Sequence, residues 1–152
     1  MQRFLLILSF IVATALDATA GSGTATLTCR SASGRTVFKA KLQDIYGMFE
    51  GGTLIIDKDS VTFPPQDGNI EHHAIWDPKN GVFTLSYLKP GMKDFQFIRF
   101  WSIPSTFKVV NGDRSAGAVY EFEAYIEATE PRPDKGHATS TIRLLCTLTY
   151  RI

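Results

Sequence analysis

Apolar and polar residues alternate along much of the chain, and the alternation is clearest between positions 118 and 128. The two phases there are Tyr120, Phe122, Ala124, Ile126 and Ala128 against Glu121, Glu123, Tyr125 and Glu127. Because successive side chains of a β-strand point to opposite faces, this period of two predicts a strand with one buried face. The same period runs over residues 24–30 and 141–150.

Weaker alternation completes a set of about ten predicted strands. The additional strands are 36–44, 53–57, 61–63, 70–76, 82–88, 94–103 and 106–110. Turn residues separate them, at Asp57–Ser60, Asp77–Gly81, Pro90-Gly91 and Asn111–Asp113. A short helix is predicted only over Leu42–Phe49. We therefore expect one all-β domain over residues 21–152, an antiparallel β-sandwich or β-barrel of about eight to ten strands.

Residues 1–20 have a different composition from the rest of the chain. Arg3 precedes an uncharged apolar run over residues 4–16, and Ala18-Thr19-Ala20 follows it. This order of a positively charged residue, an apolar segment and a small-residue cleavage motif predicts a cleaved signal peptide. We therefore expect a periplasmic or secreted protein. A membrane-spanning helix needs about 20 apolar residues, so we expect no stable membrane span after the signal is removed.

The predicted export determines how the two cysteines are interpreted. Cys29 and Cys146 both lie in the apolar phase of their strands. In an oxidising compartment such a pair predicts one disulfide between the first and last strands, which would lower the entropy of the unfolded chain. Two free buried thiols are the alternative, and two cysteines alone do not complete a zinc site.

Composition and charge narrow the classes of function. Apolar residues make up 44% and charged residues 20% of the chain, which is typical of a globular protein. With 16 Lys and Arg against 15 Asp and Glu, the net charge is +1. This balance argues against a nucleic-acid-binding protein and against a polybasic membrane-surface protein.

The sequence predicts no catalytic residue, metal or cofactor. It contains no G-x-S-x-G, no phosphate-binding G-x-x-x-x-G-K and no dinucleotide fingerprint. His72 and His73 would point to opposite faces of a strand, which weakens a metal site that uses both. Glu71, His73 and Asp77 share one face and could form a site with His137 from elsewhere, but one half-buried and one surface histidine is the simpler interpretation. The acidic row Glu121, Glu123 and Glu127 would suit acid–base chemistry, but it is more typical of a solvated face balanced by Lys or Arg opposite.

The segment from Phe95 to Trp101 is rich in large apolar side chains in both phases. One phase contains Phe95, Phe97, Arg99 and Trp101, and the other contains Ile98 and Phe100. It is either a central strand covered on its second face or an aromatic surface with Arg99 as its polar group. Aromatic residues and Arg are typical of binding hot spots, so Phe95, Phe97, Arg99 and Trp101 are the candidate ligand-binding residues.

Leu27-Thr28-Cys29 followed by Ser33-Gly34 is similar to the opening of small periplasmic lysozyme-inhibitor barrels. The likeness is confined to residues 27–34, and no functional residue is carried over from it. We expect an exported, non-catalytic binding protein for a small molecule, a glycan or a protein partner. The alternative is a small secreted hydrolase or lyase that uses the carboxylates of residues 121–127 or His73.

Overall fold

The computed structural model describes residues 23–44, 48–65, 71–77, 79–89, 96–113, 117–129 and 139–151. These ranges contain ten strands: β1 (Thr24–Arg30), β2 (Thr36–Asp44), β3 (Met48–Ile56), β4 (Asp59–Phe63), β5 (Glu71–Asp77), β6 (Val82–Lys89), β7 (Gln96–Ser102), β8 (Lys108–Asp113), β9 (Gly117–Thr129) and β10 (Thr139–Arg151). A single turn of 3₁₀ helix, Pro104–Thr106, connects β7 to β8. Within the described ranges, no helix is long and apolar enough to cross a lipid bilayer.

The strands form one antiparallel sheet in the order β4-β3-β2-β1-β10-β9-β7-β6-β5. Strand β8 pairs with the first part of β9, whereas β7 pairs with its second part. The sheet curls into a half-barrel, which brings one end of the sheet against the other. Phe49 of β3 and Phe63 of β4 each contact Tyr87 of β6, with ring centroids 5.3 Å apart. The prediction of an all-β antiparallel fold is confirmed.

The core fills the concave side of the sheet with the residues that alternation placed inward. On β9 the buried residues are Ala118, Tyr120, Phe122, Ala124, Ile126 and Ala128. Phe100 lies 5.8 Å from Phe38, 5.6 Å from Phe83 and 6.3 Å from Phe122 between ring centroids. Such aromatic pairs contribute about 0.5–1.5 kcal/mol each beyond their area burial. Because Phe38 lies on β2 and Phe100 on β7, their contact connects the two halves of the sheet through one core.

The predicted disulfide joins Cys29 to Cys146. The two residues face each other in the register of β1 and β10, with their Cα atoms 4.0 Å apart and both side chains buried. Strands from the two ends of the chain are therefore neighbours at the middle of the sheet, and a covalent bond crosses the seam between them.

Two local predictions are wrong. The described residues of Leu42–Phe49 do not form the predicted helix, since they belong to β2 and β3 and Leu42 pairs with Phe49 across a register shift. The turn predicted at Asn111–Asp113 is part of β8, where a bulge separates Val109 from Asn111. In both places a glycine with positive φ, Gly51 at 121° or Gly112 at 124°, bends a strand that continues.

Two predicted turns are present. Asp57-Lys58 joins β3 to β4, with Asp57 at a φ of 55°. In the β5–β6 turn, the backbone N–H of Asn80 donates to the carbonyl of Asp77 at 3.3 Å. The predictions for residues 1–20, Pro90-Gly91, Phe95 and His137 lie outside the described residues.

Candidate functional site

Strand β7 separates its two apolar phases cleanly. Ile98 and Phe100 point into the core and are 0% and 2% exposed. Phe97 and Trp101 are half-buried on the convex, outer face, and Arg99 is exposed between them. The phase predicted to bind a ligand therefore faces outward, and its large side chains are not part of the core.

A cavity of about 400 Å³ lies on this outer face. It spans four strands and is lined by His73 of β5, Ser86, Tyr87 and Leu88 of β6, Phe97, Ile98 and Arg99 of β7, and Glu127 of β9. Two of the predicted ligand-binding residues, Phe97 and Arg99, thus line one cavity.

The register of the strands explains why these side chains come together. His73 is opposite Ser86, Ser86 is opposite Arg99, and Arg99 is opposite Glu127. We call this line of four outward side chains the polar row. Leu88 and Phe97 face each other in the next register position and supply an apolar wall beside it.

Arg99 and Glu127 neutralise each other within the polar row. Their Nη1 and Oε2 atoms are 3.7 Å apart, and the Arg99 side chain is 70% exposed. An exposed pair of this kind contributes at most about 1 kcal/mol to stability. The guanidinium has five N–H donors, so it has donors left for a ligand, and the cavity offers hydrogen bonds without net charge from this pair.

Trp101 lies in the neighbouring row and not in the cavity lining. It is opposite Tyr125 of β9, and the two rings are 5.8 Å apart at an angle of 35°. Phe97, Arg99 and Trp101 therefore share an outward phase, but Trp101 packs along β9 and the other two border the cavity.

Each glutamate of the acidic row has a basic partner on a different neighbouring strand. Glu121 pairs with Lys108 of β8 at 3.2 Å. Glu123 accepts a hydrogen bond from Nε of Arg143 on β10 at 2.6 Å, which raises the pKa of that guanidinium. With Arg99 beside Glu127, the prediction of a face balanced by opposite charges is confirmed.

Metal chemistry gains no support from the part of the chain that is described. There, no group of three or more His, Cys, Asp or Glu side chains is arranged to hold an ion. The metal hypothesis around His73 also involves the side chains of Glu71 and His137, which lie outside the described residues. Asp77 is engaged elsewhere, as the acceptor of a 2.6 Å hydrogen bond from Asn80 Nδ2.

Sequence reasoning missed two further outer-face cavities. One, of about 600 Å³, extends across β1, β10, β9 and β8 and includes Arg30, Lys108 and Thr147 in its lining. The other, of about 360 Å³, lies over β2 and β3 and includes Lys39 and Lys41. Their sequence signal is the repeated Thr-Leu-Thr at 26–28 and 147–149, which looks like ordinary surface until the two strands are known to be neighbours.

Comparison of the chain with known protein families, with curated proteins and with solved structures found no match. The similarity of residues 27–34 to the lysozyme-inhibitor barrels therefore stands on those residues alone.

Proposed function

We propose that the protein is an exported, non-catalytic binding protein whose ligand occupies the outer-face cavity of β5, β6, β7 and β9. The observation that carries this proposal is the combination of Phe97 and Leu88 with the polar row in one cavity. Small-ligand sites typically combine apolar walls with a few placed polar groups, in volumes of about 300–1,000 Å³.

The chemistry of the cavity favours a neutral saccharide of one or two rings. Arg99 and Glu127 offer donors and acceptors whose charges cancel. Ser86 contributes a hydroxyl between His73 and Arg99, and the half-buried Phe97 ring offers an apolar surface. A sugar ring has the same two characters, since its hydroxyls lie at the edge and its C–H groups form the faces.

Export is supported by two independent features. Residues 1–20 have the pattern of a signal peptide. The Cys29–Cys146 disulfide is of the kind that persists in the periplasm or outside the cell and is rare in the cytosol.

A hydrolase or lyase is the second candidate, because His73 and Glu127 both line the cavity. They are three strand positions apart in the polar row, or about 14 Å at the usual strand spacing, which is far for joint action on one bond. Glu127 is also paired with Arg99. A Glu127→Gln variant that abolished turnover of an identified substrate would favour this candidate over the binding protein.

Backbone amide NMR shifts during titration with cellobiose and maltose test the saccharide proposal. We expect the amides of residues 86–88 and 97–99 to shift, and Phe97→Ala to weaken binding about tenfold, the equivalent of 1.4 kcal/mol. Ile75→Ala is the matched control, because Ile75 is 61% exposed on the same outer face and outside the cavity lining. Shifts confined to other strands, or equal loss in both variants, would overturn the assignment.

A further inference from the structure

Threonines and basic residues share the outer face of β1, β2 and β10. Its threonines and cations are Thr24, Thr26, Thr28 and Arg30 of β1, Lys39 and Lys41 of β2, and Thr147, Thr149 and Arg151 of β10, and the exposed Leu145 of β10 lies opposite Arg30. We call this surface the Thr/Lys face. Its register is regular, since Thr26 lies between Lys41 and Thr149, and Thr28 lies between Lys39 and Thr147.

Among the described residues, no carboxylate forms an ion pair with the cations of this face, Arg30, Lys39, Lys41 and Arg151. The exposed Glu50 lines the cavity beside the two lysines. Glu121 and Glu123 line the larger cavity, but each is paired with another basic residue, Lys108 or Arg143. The four cations therefore give the Thr/Lys face a local positive charge that the overall charge of +1 conceals.

Two cavities meet on this face. The cavity of about 360 Å³ is lined by Thr26, Thr28, Lys39 and Lys41, and also by Glu50, Thr53 and Thr62 of β3 and β4. The cavity of about 600 Å³ begins at Thr28 and continues over Arg30 and Thr147 to Lys108. Thr28 lines both, so the two cavities adjoin at β1, and we call the strip of outer face that they cover together, from β4 to β8, the track.

Glycine is required at one end of this track. Gly51 lies opposite Lys41 and has a φ of 121°, a conformation that favours glycine. A Cβ at Gly51 would lie 3.1 Å from the carbonyl oxygen of Phe63, so a side chain would crowd the neighbouring strand. The strand therefore presents bare backbone beside the lysine, where Gly51 lines the cavity.

We propose that the Thr/Lys face binds a polysaccharide bearing sulfate or phosphate groups, laid across the strands. Lys and Arg attract such groups, and threonine hydroxyls donate hydrogen bonds to their oxygens. Facing residues of neighbouring strands are about 5 Å apart, and successive outward residues of one strand are about 6.8 Å apart. A chain with repeated anionic groups would therefore meet several donors at once, and the weak contacts would add up.

The composition of the face favours this ligand over nucleic acid and over a lipid surface. Single-stranded nucleic acids are held by aromatic side chains that stack on the bases, and the outward residues described on β1 and β2 include none. Insertion into a lipid surface needs exposed apolar groups. Among the described residues, the exposed large apolar side chains are scattered: Ile75 lies on β5, Val109 and Val110 lie on β8, and Leu145 of β10 borders this face opposite Arg30. A single such side chain among threonines and cations does not form an apolar surface.

Binding of the purified full chain to immobilised dextran sulfate, with uncharged dextran as the reference surface, tests the proposal. The Lys39→Gln/Lys41→Gln double variant should bind at least about tenfold more weakly and show a shallower dependence on salt, because fewer counterions are released. The charge-matched control is Lys58→Gln/Lys79→Gln, which changes two exposed turn lysines outside both cavities and should lose less than about twofold. Thermal unfolding establishes that both variants are folded.

Thr28→Val separates the hydroxyls from the charges. It keeps the shape and every cation, so a several-fold loss of dextran sulfate binding would support a shaped site. Phe97→Ala should leave this binding unchanged, which keeps the test independent of the proposed disaccharide site. The proposal fails if the two lysine variants lose affinity equally, or if oligothymidylate or phosphatidylglycerol vesicles bind as tightly as dextran sulfate.

Discussion

The outer face of the sheet has two regions that differ in whether their charged side chains form ion pairs among the described residues. Glu121, Glu123 and Glu127 of β9 lie beside basic residues of β8, β10 and β7. The lysines of β2 lie beside threonines of β1 and form no ion pair with a carboxylate of the described residues. Both regions bury one phase of their strands, so the difference comes from which outward residues face each other.

This difference assigns distinct chemistry to each region. Paired charges offer hydrogen-bond donors and acceptors but produce only a weak electrostatic field, because their charges cancel. Such a region suits a neutral ligand with hydroxyl groups. Uncompensated cations present a field that attracts anions over about a Debye length, near 8 Å at physiological salt. A net charge close to zero is therefore compatible with a local anion-binding face.

The largest expected effect comes from cutting the covalent bond at the seam between the two regions. Cys29→Ala/Cys146→Ala removes a disulfide that closes a loop of 117 residues, and we expect it to lower the free energy of unfolding by about 2–5 kcal/mol. Urea unfolding of wild type and variant measures the change. If the regions are one cooperative unit, fluorescence and circular dichroism will give coincident transitions in the variant.

A separation of the two probes would show that β1–β4 and β5–β10 unfold independently once the bond is gone. Wild type with reductant is the control, because reduction breaks the same bond without changing a residue. An unchanged midpoint in both experiments would contradict the stabilising role assigned to Cys29–Cys146.

Alternation was sufficient for most strands and for the buried side of β1, β9 and β10, whereas for β7 it left both sides open. Alternation over 24–30 and 141–150 placed both cysteines inward, which is why their bond was predictable. It was insufficient for the bends at Gly51 and Gly112, because a glycine that bends a continuing strand and a glycine that ends one have the same local pattern.

The candidate sites depend on strand order, which periodicity does not contain. The outward phase of Phe97 and Arg99 was predictable as one of two alternatives. The other residues that line their cavity come from β5, β6 and β9, and they could be predicted only from the strand order and register around β7. The Thr/Lys face was missed for the same reason. Thr26 and Thr149 are far apart in sequence and become neighbours only because β1 pairs with β10.

A smaller effect tests the charge difference between the regions directly. Glu123→Gln removes the partner of Arg143, and we expect a loss of less than about 1 kcal/mol in the free energy of unfolding, diminished by added salt. Lys39→Gln removes a cation without an ion pair among the described residues, and it should leave stability unchanged or slightly raised.

Thermal unfolding at low and high salt measures both variants. Equal losses would mean that Lys39 has a stabilising partner after all, and the comparison between the regions would fail. Arg143→Gln is the reciprocal control, since it breaks the same pair as Glu123→Gln from the β10 side.

The smallest expected effect concerns Asp77, at the end of β5. The side chain of Asn80 donates a hydrogen bond to its carboxylate, which lowers the pKa of Asp77 below its usual value, with further contributions from the backbone N–H groups of Asn80 and Lys79. A carboxylate with a depressed folded-state pKa stabilises the protein above its unfolded pKa, and this contribution is lost as the pH falls through the folded pKa.

Asn80→Ala should therefore raise the pKa of Asp77 and weaken the pH dependence of stability in the acid range, with stability near neutral pH slightly reduced. NMR titration of the Asp77 carboxyl carbon measures the shift, and Lys79→Ala is the control, because its charge is the smallest of the contributions that lower this pKa. A pKa that did not move in Asn80→Ala would contradict the hydrogen bond as the cause. A confirmed shift would show that the carboxylate of Asp77, like the glutamates of β9, has a partner on a neighbouring residue. The lysines of the Thr/Lys face differ, since they form no ion pair among the described residues.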